Sequence, residues 1–421
     1  MTYIEFYDKN SIENLCACLA MHPDEVILVG DNKKAMKRHI EIYDNVFKAR
    51  KKEIKFSYKS ICRWNTAEII EVLEKIVENY DDCVFGITGG DEMVVFAIGM
   101  ICERYANTEK KVQVHKISIN NNEVHDCDMD GEKIASCTPF LTVDENIQIY
   151  GGKVLYDDVQ GENTYLWDMT TDFKQEIEDM WSICKKDTKE WNKQIGVFST
   201  IKKVGTASED GLTITANIAD VVKYYAKNDG DYRINRKLIA ELEAKKLLAD
   251  FKAEEDLPTV TITYKNLQVK KCLTQAGLAL EMKIYKMTKE IMRIDGKEKK
   301  PLYNDVMNGV QIDWDGIIKE DGETYDTRNE IDVILMHNMI PIFVSCKNGE
   351  FDADELYKLN TVAERFGGKY ARKVLVASSL KNRKPDKILK QRAQDMRIKV
   401  IDKAQVMNDN LLMAQLENLW R

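Results

Sequence analysis

The first 145 or so residues alternate between short apolar runs, typical of buried strands, and segments with apolar residues at helical spacing. Strands separated by helices of this length predict a parallel, Rossmann-like sheet, in which ligands bind beyond the carboxyl ends of the strands. The predicted strands are Tyr3–Tyr7, Glu25–Val29, Glu53–Ser57, Cys83–Ile87 and Lys111–Ile119, and the helices between them are Ser11–Ala20, Lys33–Lys48, Thr66–Tyr80 and Glu92–Tyr105.

A different pattern follows over residues 149–273. One long charged helix is predicted at Thr171–Trp191, and two shorter helices at Ile218–Ala226 and Arg236–Ala249. Two apolar runs, Thr259–Tyr264 and Leu267–Cys272, then predict a two-stranded wing. The order indicates a small α+β, winged-helix-like segment, for which a spacer, a dimerisation module and a DNA-reading module are all possible roles.

The remaining residues, 274–421, return to an α/β pattern that begins with a helix over Gln275–Met292 and continues with a Gly/Asp-rich loop region. A strand hairpin is predicted next, and later a helix stopped by Gly367 and Gly368. We therefore divide the chain into domains 1–148, 149–273 and 274–421, and we expect an α/β fold overall. The later predicted elements are the strands Ile331–Met336, Pro341–Cys346, Lys373–Ala377 and Arg397–Ile401, and the helices Asp354–Phe366 and Asp386–Met396.

Composition excludes several classes of protein. No stretch approaches the length of about 18 apolar residues that a transmembrane helix needs, and no signal peptide is recognisable, so we expect a cytoplasmic protein without a membrane partner. The ten cysteines are scattered and the five histidines form no array, which argues against zinc. The net charge is −8, yet twelve Lys and Arg against two Asp lie between Arg365 and Lys399. This basic stretch fits either solvated helix faces or a footprint for phosphates.

Charged residues recur at the ends of the predicted C-terminal hairpin. Strand periodicity places Glu330 and Asp332 on one face, and Ser345 and Lys347 on one face of the paired strand. Charges beside a packed core need partners, and Mg²⁺ or Mn²⁺ would supply them because these ions bind carboxylate oxygens. Glu281, on the preceding helix, could complete the set. An ordinary Asp–Lys ion pair fits the spacing equally well.

Four runs of this region together resemble one nuclease family. It is the PD-(D/E)xK domain of the CARF-fused ancillary nucleases of type III CRISPR systems, the Card and Can nucleases, and the likeness spans roughly residues 275–402. The order, spacing and flanking apolar residues of the runs all agree with that family. The runs are Gly277–Tyr285, Asn329–Val333, Phe343–Gly349 and Leu356–Gly368.

The resemblance assigns roles to the charged cluster. It implies that Asp332 is the central metal ligand, Lys347 the motif lysine and Glu281 the acid of the first helix. Glu330, on the same strand face as Asp332, is a further candidate metal ligand. One position departs from the family, because Ser345 stands where the motif has an acid. A second ion would then need Glu330, Glu281, Glu364 or a bridging water.

Two small-residue loops follow predicted strands in the N-terminal domain. Such loops let backbone N–H groups and a helix N-terminus approach a phosphate, although a plain tight turn explains them equally. The Thr-Gly-Gly-Asp loop looks like a signature of the CARF fold, a sensor of cyclic oligoadenylates. Asp31 and Asp91 are expected to meet ribose hydroxyls or adenine amines rather than phosphates. The predicted ligand contacts are Asn10, Ser11, Gly30, Asp31, Asn32, Thr88, Gly89, Gly90 and Asp91.

The resemblance implies a homodimer in which a cyclic oligoadenylate, most often cyclic tetra-adenylate, bridges two sensor domains and activates cleavage. It implies Mn²⁺ or Mg²⁺ as cofactor, and single-stranded DNA or RNA, or a nicked duplex, as substrate. The main alternative is a ligand-responsive, winged-helix DNA-binding regulator whose nuclease-like domain is inactive through Ser345. A second alternative, chemistry on the activator ring in the N-terminal domain, lacks a supporting His or Cys arrangement.

Overall fold

The computed structural model describes residues 1–127, 132–135, 139–156, 163–228, 232–253, 258–317, 328–381 and 384–421. Its N-terminal part is the expected Rossmann-like sheet, with strand order β3-β2-β1-β4-β5-β6-β7, parallel up to β5 and antiparallel beyond it. The strands are β1 (Thr2–Phe6), β2 (Glu25–Gly30), β3 (Lys55–Ser60), β4 (Asp82–Gly86), β5 (Lys111–Ser118), β6 (Glu123–Asp126) and β7 (Lys133–Ala135). The helices are α1 (Cys16–Met21), α2 (Lys33–Ala49), α3 (Thr66–Asn79), α4 (Glu92–Tyr105) and α5 (Val143–Ile149).

The central segment has the strand connectivity of a winged helix. From α7 onward the order is helix, two strands, two helices, two strands, and the sheet runs β11-β12-β10-β9 with antiparallel pairs. The elements are β8 (Lys153–Val154), α6 (Thr171–Cys184), α7 (Thr188–Val204), β9 (Thr206–Ala207), β10 (Thr213–Asn217), α8 (Ile218–Asn228), α9 (Arg236–Ala244), β11 (Leu248–Lys252), β12 (Thr259–Tyr264) and α10 (Leu267–Leu273).

Two sequence predictions for this segment were wrong in detail. The single helix Thr171–Trp191 is two helices, because Asp187 caps a new one by accepting hydrogen bonds from two backbone N–H groups. The second wing strand is not Leu267–Cys272, which is helical behind the cap residue Asn266. Its place is taken by β11, which forms because the preceding helix stops at Ala244 and Lys246 turns left-handed with φ of 56°.

The C-terminal part is a mixed sheet in the order β19-β18-β17-β16-β15-β8, flanked by α11 and α12. Its edge strand β8 comes from the central segment and pairs with β15. The elements are α11 (Leu278–Glu290), β13 (Met292–Asp295), β14 (Glu298–Pro301), β15 (Asp305–Asp313), β16 (Arg328–His337), β17 (Ile340–Lys347), α12 (Asp354–Gly367), a 3₁₀ turn (Gly368–Tyr370), β18 (Arg372–Ala377), α13 (Lys384–Asp395), β19 (Ile398–Ile401), α14 (Lys403–Val406) and α15 (Asp409–Leu416).

The apolar cores cross the predicted domain boundaries. One buried cluster combines N-terminal side chains such as Tyr3 and Phe47 with Phe343 and Phe366 of the C-terminal sheet and α12. Another joins the central segment to α11 and the other face of the same sheet. Packed side chains therefore connect the N-terminal domain directly with the C-terminal sheet. Among the described residues, no helix combines the length and apolarity needed to cross a membrane.

Candidate active site and ligand pocket

Asp332 lies where the strands β16 and β17 separate. Their backbone pairing runs from the hairpin to the pair Val333 and Val344. At the next position the Asp332 carboxylate takes the place of a backbone acceptor, because its Oδ2 accepts the Cys346 N–H at 2.5 Å and the Ser345 hydroxyl at 3.2 Å. Burial raises the pKa of Asp332, while the Cys346 N–H and the Lys347 charge act to lower it. The carboxylate is thereby held in one orientation.

Glu281 reaches the same place from the first turn of α11. The helix begins at Gly277, whose φ of 90° is unfavourable for other residues, and a Cβ there would lie 3.2 Å from Glu281 Oε1. Glu281 is buried, and its pKa is raised by burial first and then by the charges of Asp332 and Glu330. Like charges held together in a buried position need a cation to offset their repulsion.

The ammonium group of Lys347 pairs with a carboxylate that the sequence did not indicate. Its Nζ lies 2.7 Å from Glu355 Oε2, in the first turn of α12. Burial lowers the pKa of Lys347, but the hydrogen bond to Glu355 and the charge of Asp332 together raise it by more. The pKa of Lys347 is therefore above its ordinary value. Only the tertiary contact identifies Glu355, since its acidic first-turn position is ordinary for a helix.

Asn348 anchors the strand end that carries Lys347. It is almost fully buried, and its side chain donates to Asn192 Oδ1 at 3.1 Å and accepts from the Ser378 hydroxyl at 2.9 Å. Its backbone carbonyl accepts from Asn192 Nδ2 at 2.6 Å. Helix α7 and strand β18 therefore both fix the position at which Lys347 leaves the sheet.

These side chains suit a divalent ion that shares its coordination with water and substrate. In the described part of the chain, no three His, Cys, Asp or Glu side chains form a ready-made metal cluster. Glu281 and Asp332 nevertheless supply two converging carboxylates, and exposed Glu330 lines the same cleft. Mg²⁺ typically binds through one or two carboxylates plus water and substrate phosphates, so the donor set fits such an ion.

A second cavity, of about 410 Å³, opens at the carboxyl ends of β1, β2 and β4 in the N-terminal domain. Five of the predicted ligand contacts line it, namely Gly30, Asp31, Asn32, Gly90 and Asp91. The other four lie outside its lining. Ser11 is buried, the Thr88 hydroxyl accepts the Ile117 N–H, Gly89 packs against the Phe6 carbonyl, and Asn10 is bonded to Asp8.

Arg63 is a lining residue of this cavity that the sequence reasoning missed. Its Nε lies 2.8 Å from Asp31 and 3.5 Å from Asp91, so that it bridges the two predicted loops. Arg63 follows β3, and the rule that found the other loops, the carboxyl edge of a parallel sheet, would have indicated it too. A guanidinium here supplies a phosphate partner that the two aspartates could not.

The comparisons with known proteins agree with this architecture. Residues 275–415 match the family model described as the Card1-like endonuclease domain. The structure resembles protein VC1899 from Vibrio cholerae, with a TM-score of 0.70 and 16% identity over 99% of this chain and 97% of that one. It also resembles Can2 from Sulfobacillus thermosulfidooxidans in complex with cyclic tetra-adenylate, with a TM-score of 0.64 and 15% identity over 99% of both chains. No curated protein sequence matches the chain.

Fold and site together define a nuclease with a restriction-endonuclease-like domain joined to a Rossmann-like domain. More specifically, residues 275–415 match a Card1-like endonuclease domain, and the whole chain has the fold of the Can2 structure. The α/β fold class expected from the sequence is thus confirmed, and the C-terminal domain is an endonuclease domain, as expected. The roles of the individual site residues and the domain boundaries stay predictions.

Proposed function

We propose that this chain is a metal-dependent endonuclease of type III CRISPR defence that a cyclic oligoadenylate activates. The observation that carries the proposal is the convergence of Glu281 and Asp332 beside Lys347 in the endonuclease domain. Glu281 and Asp332 would hold Mn²⁺ or Mg²⁺, with Glu330 at the rim of the cleft. A divalent ion there would polarise the scissile phosphate and lower the pKa of a bound water.

The chain's own residues would orient the reacting groups. The Cys346 N–H and the Ser345 hydroxyl donate hydrogen bonds to the same oxygen of the Asp332 carboxylate, which fixes its orientation and leaves the other oxygen for the ion. Lys347 donates to Glu355 in this structure and would instead donate to a phosphate oxygen of the substrate, where its charge stabilises the developing negative charge. The exchange of partners makes the position of α12, which carries Glu355, relevant to activity.

The N-terminal cavity is the proposed activator site. The Can2 structure resembled here contains cyclic tetra-adenylate, and the cavity presents small-residue loops, the α4 N-terminus and Arg63 at one edge of the sheet. When the ligand binds, Arg63 would pair with a phosphate in place of Asp31 and Asp91. The two carboxylates would then accept hydrogen bonds from ribose hydroxyls or adenine amines. We propose a homodimer with the ring shared between two such cavities, as the family resemblance implies.

A direct route connects this cavity with the active site. Asp8 and Lys9 line the cavity, and the same loop continues to Glu13, which is buried. Glu13 accepts the Tyr370 hydroxyl at 2.7 Å and pairs with Lys369 at 2.8 Å, both in the turn that ends α12. The other end of α12 holds Lys347 through Glu355. Movement of the loop on ligand binding would therefore shift the helix that positions the lysine.

A cleavage assay tests the proposal. Labelled single-stranded DNA, single-stranded RNA and nicked duplex are incubated with the protein and Mn²⁺, with and without cyclic tetra-adenylate. We expect cleavage that depends on the activator and is lost in Asp332→Asn and Lys347→Ala, whereas the control Lys223→Ala, at an exposed position of α8, keeps it. Cleavage by Asp332→Asn equal to wild type would refute the assigned site.

The cleavage assay, together with a duplex-binding measurement, also distinguishes the nuclease from the alternative, a winged-helix DNA-binding regulator. The central segment has winged-helix connectivity, but the basic residues on α9 are partly engaged. The Arg236 side chain donates to the Ala253 carbonyl, and Glu241 on the same helix pairs with Lys186. Tight, activator-dependent binding of a specific duplex without any cleavage would favour the regulator over the nuclease.

A further inference from the structure

The cleft beside Glu281 has a wall of aromatic and basic side chains that the proposed chemistry does not use. Its volume is about 320 Å³, and Tyr165, Trp167 and Lys271 line it together with Glu281. A neighbouring cavity of about 500 Å³ shares Tyr165, Trp167 and Asn308 with it. The aromatic pair therefore stands between the carboxylates and a second, larger space.

Tyr165 is the more exposed of the two rings, and the buried Trp167 packs against it. Trp167 is nearly buried, stacks on Phe173 with a centroid distance of 5.6 Å and an interplanar angle of 6°, and donates its indole N–H to Asn308 at 2.9 Å. Half-buried Tyr165 meets Trp167 edge-on at 4.7 Å, and Lys271 Nζ lies 4.7 Å from the Tyr165 ring centroid. An aromatic ring with an ammonium group over one of its faces thus lines the cleft, and a base would stack on the ring as Lys271 moves to a phosphate.

We propose that Tyr165 stacks on an unpaired base of a single-stranded nucleic acid while Lys271 contacts the adjoining phosphate. The inference rests on the proposed nuclease function and names two residues that would position its substrate. Proteins hold single strands by stacking bases on aromatic rings and by placing cations along the backbone. Cavities of this size accept one unstacked base rather than a paired helix, which requires the strand to be open at the cleavage site.

The charges around the larger cavity fit the same arrangement. Lys289 donates to the Tyr285 hydroxyl at 2.9 Å and lines this cavity, as do the acidic residues Asp144 and Asp305. Asp305 accepts the Val143 N–H at 2.8 Å. A base, which carries no charge, can enter beside these carboxylates, whereas the phosphates would follow Lys271 and Lys289.

Binding without cleavage tests the inference. Fluorescein-labelled oligothymidylate, oligouridylate and a duplex of equal length are titrated with the full-length protein in EDTA, with and without cyclic tetra-adenylate, and anisotropy is followed. We expect Tyr165→Ala to weaken binding of both single strands by about 5- to 150-fold, the range for loss of one base stack. Tyr165→Phe, which keeps the ring, should bind like wild type.

A second tyrosine provides the matched control. Tyr224 on α8 also has a lysine over its ring, Lys203 at 5.0 Å, but it does not line the cleft. Tyr224→Ala should leave binding unchanged. The inference is overturned if Tyr165→Ala binds single strands as wild type does, if wild type binds none of them, or if the duplex is bound more tightly than the single strands. Because EDTA prevents metal-dependent cleavage, a failure of the nuclease proposal would appear in the cleavage assay alone.

Discussion

The hydrogen bond between Tyr370 and Glu13 gives the sharpest test of communication between the two sites. Tyr370→Phe removes only the hydroxyl that donates to Glu13 at 2.7 Å. A hydrogen bond to a charged group contributes about 1.5–3 kcal/mol, which corresponds to about 10- to 150-fold in an equilibrium constant. The neighbouring ion pair from Lys369, whose side chain is 57% exposed, adds less than about 1 kcal/mol. The hydroxyl therefore carries most of the interaction.

We expect the activation ratio, the cleavage rate with cyclic tetra-adenylate divided by the rate without it, to fall by up to this factor in Tyr370→Phe. Glu13→Gln and the double variant complete a cycle that isolates the coupling between the two residues. Tyr357→Phe, an exposed position on the same helix, serves as the control. An unchanged activation ratio in Tyr370→Phe, together with additive effects in the cycle, would refute the proposed route through α12.

Three further predictions concern single residues. Ser345→Asp restores an acid beside Asp332 and should strengthen Mn²⁺ binding in calorimetric titrations; unchanged or weaker binding would show that the serine position is not part of the ion site. Glu5 is fully buried with no hydrogen-bond partner among the described residues, and burial raises its pKa. The protonated Glu5 carboxyl contributes its full stability below the pKa that it has in the unfolded chain. As pH rises from that value through the raised pKa of the folded chain, the free energy of unfolding falls by about 1.4 kcal/mol for each unit between the two pKa values. Glu5→Gln should therefore lose less stability than wild type between pH 5 and pH 8 in urea unfolding, and parallel losses would contradict the assignment. Asn348→Ala leaves its buried partners unsatisfied, at a cost of about 1–3 kcal/mol, and should slow cleavage through misplacement of Lys347, while activator affinity stays at the wild-type value in a direct binding assay.

The sequence was most informative where side chains are buried on both faces of a strand. The central parallel strands β2 and β4 of the N-terminal sheet appear as nearly continuous apolar runs, and the alternation of strands with helices predicted the fold class. Strand β15 was not predicted, because it alternates buried and half-buried residues and contains Asn308, Gly309 and Gln311, a composition typical of a loop. Strand β11 was not predicted, because apolar spacing extends the predicted helix to Ala249, whereas a left-handed turn at Lys246 ends α9 earlier.

The candidate site was predictable in its members but not in its contacts. Strand periodicity singled out Asp332 and Lys347, and the family resemblance added the role of Glu281; their roles stay predictions. The partner of Lys347, Glu355, depends on how α12 packs across the sheet, and the bridge from Arg63 to two loops depends on the path of the chain after β3. Such pairings arise from tertiary packing, which local periodicity does not encode.

The short strand β8 has a consequence for how this protein can be divided. It covers the outer edge of β15 in the C-terminal sheet, although it lies more than a hundred residues earlier in the chain. A fragment that starts at residue 274 would leave that edge unpaired and would also uncover apolar side chains that pack against the central segment. Unpaired sheet edges invite association with other chains. The endonuclease domain should thus aggregate when expressed alone. Residues 150–273 would cover the strand edge and one face of the sheet, but only the N-terminal domain covers the apolar side chains on the other face.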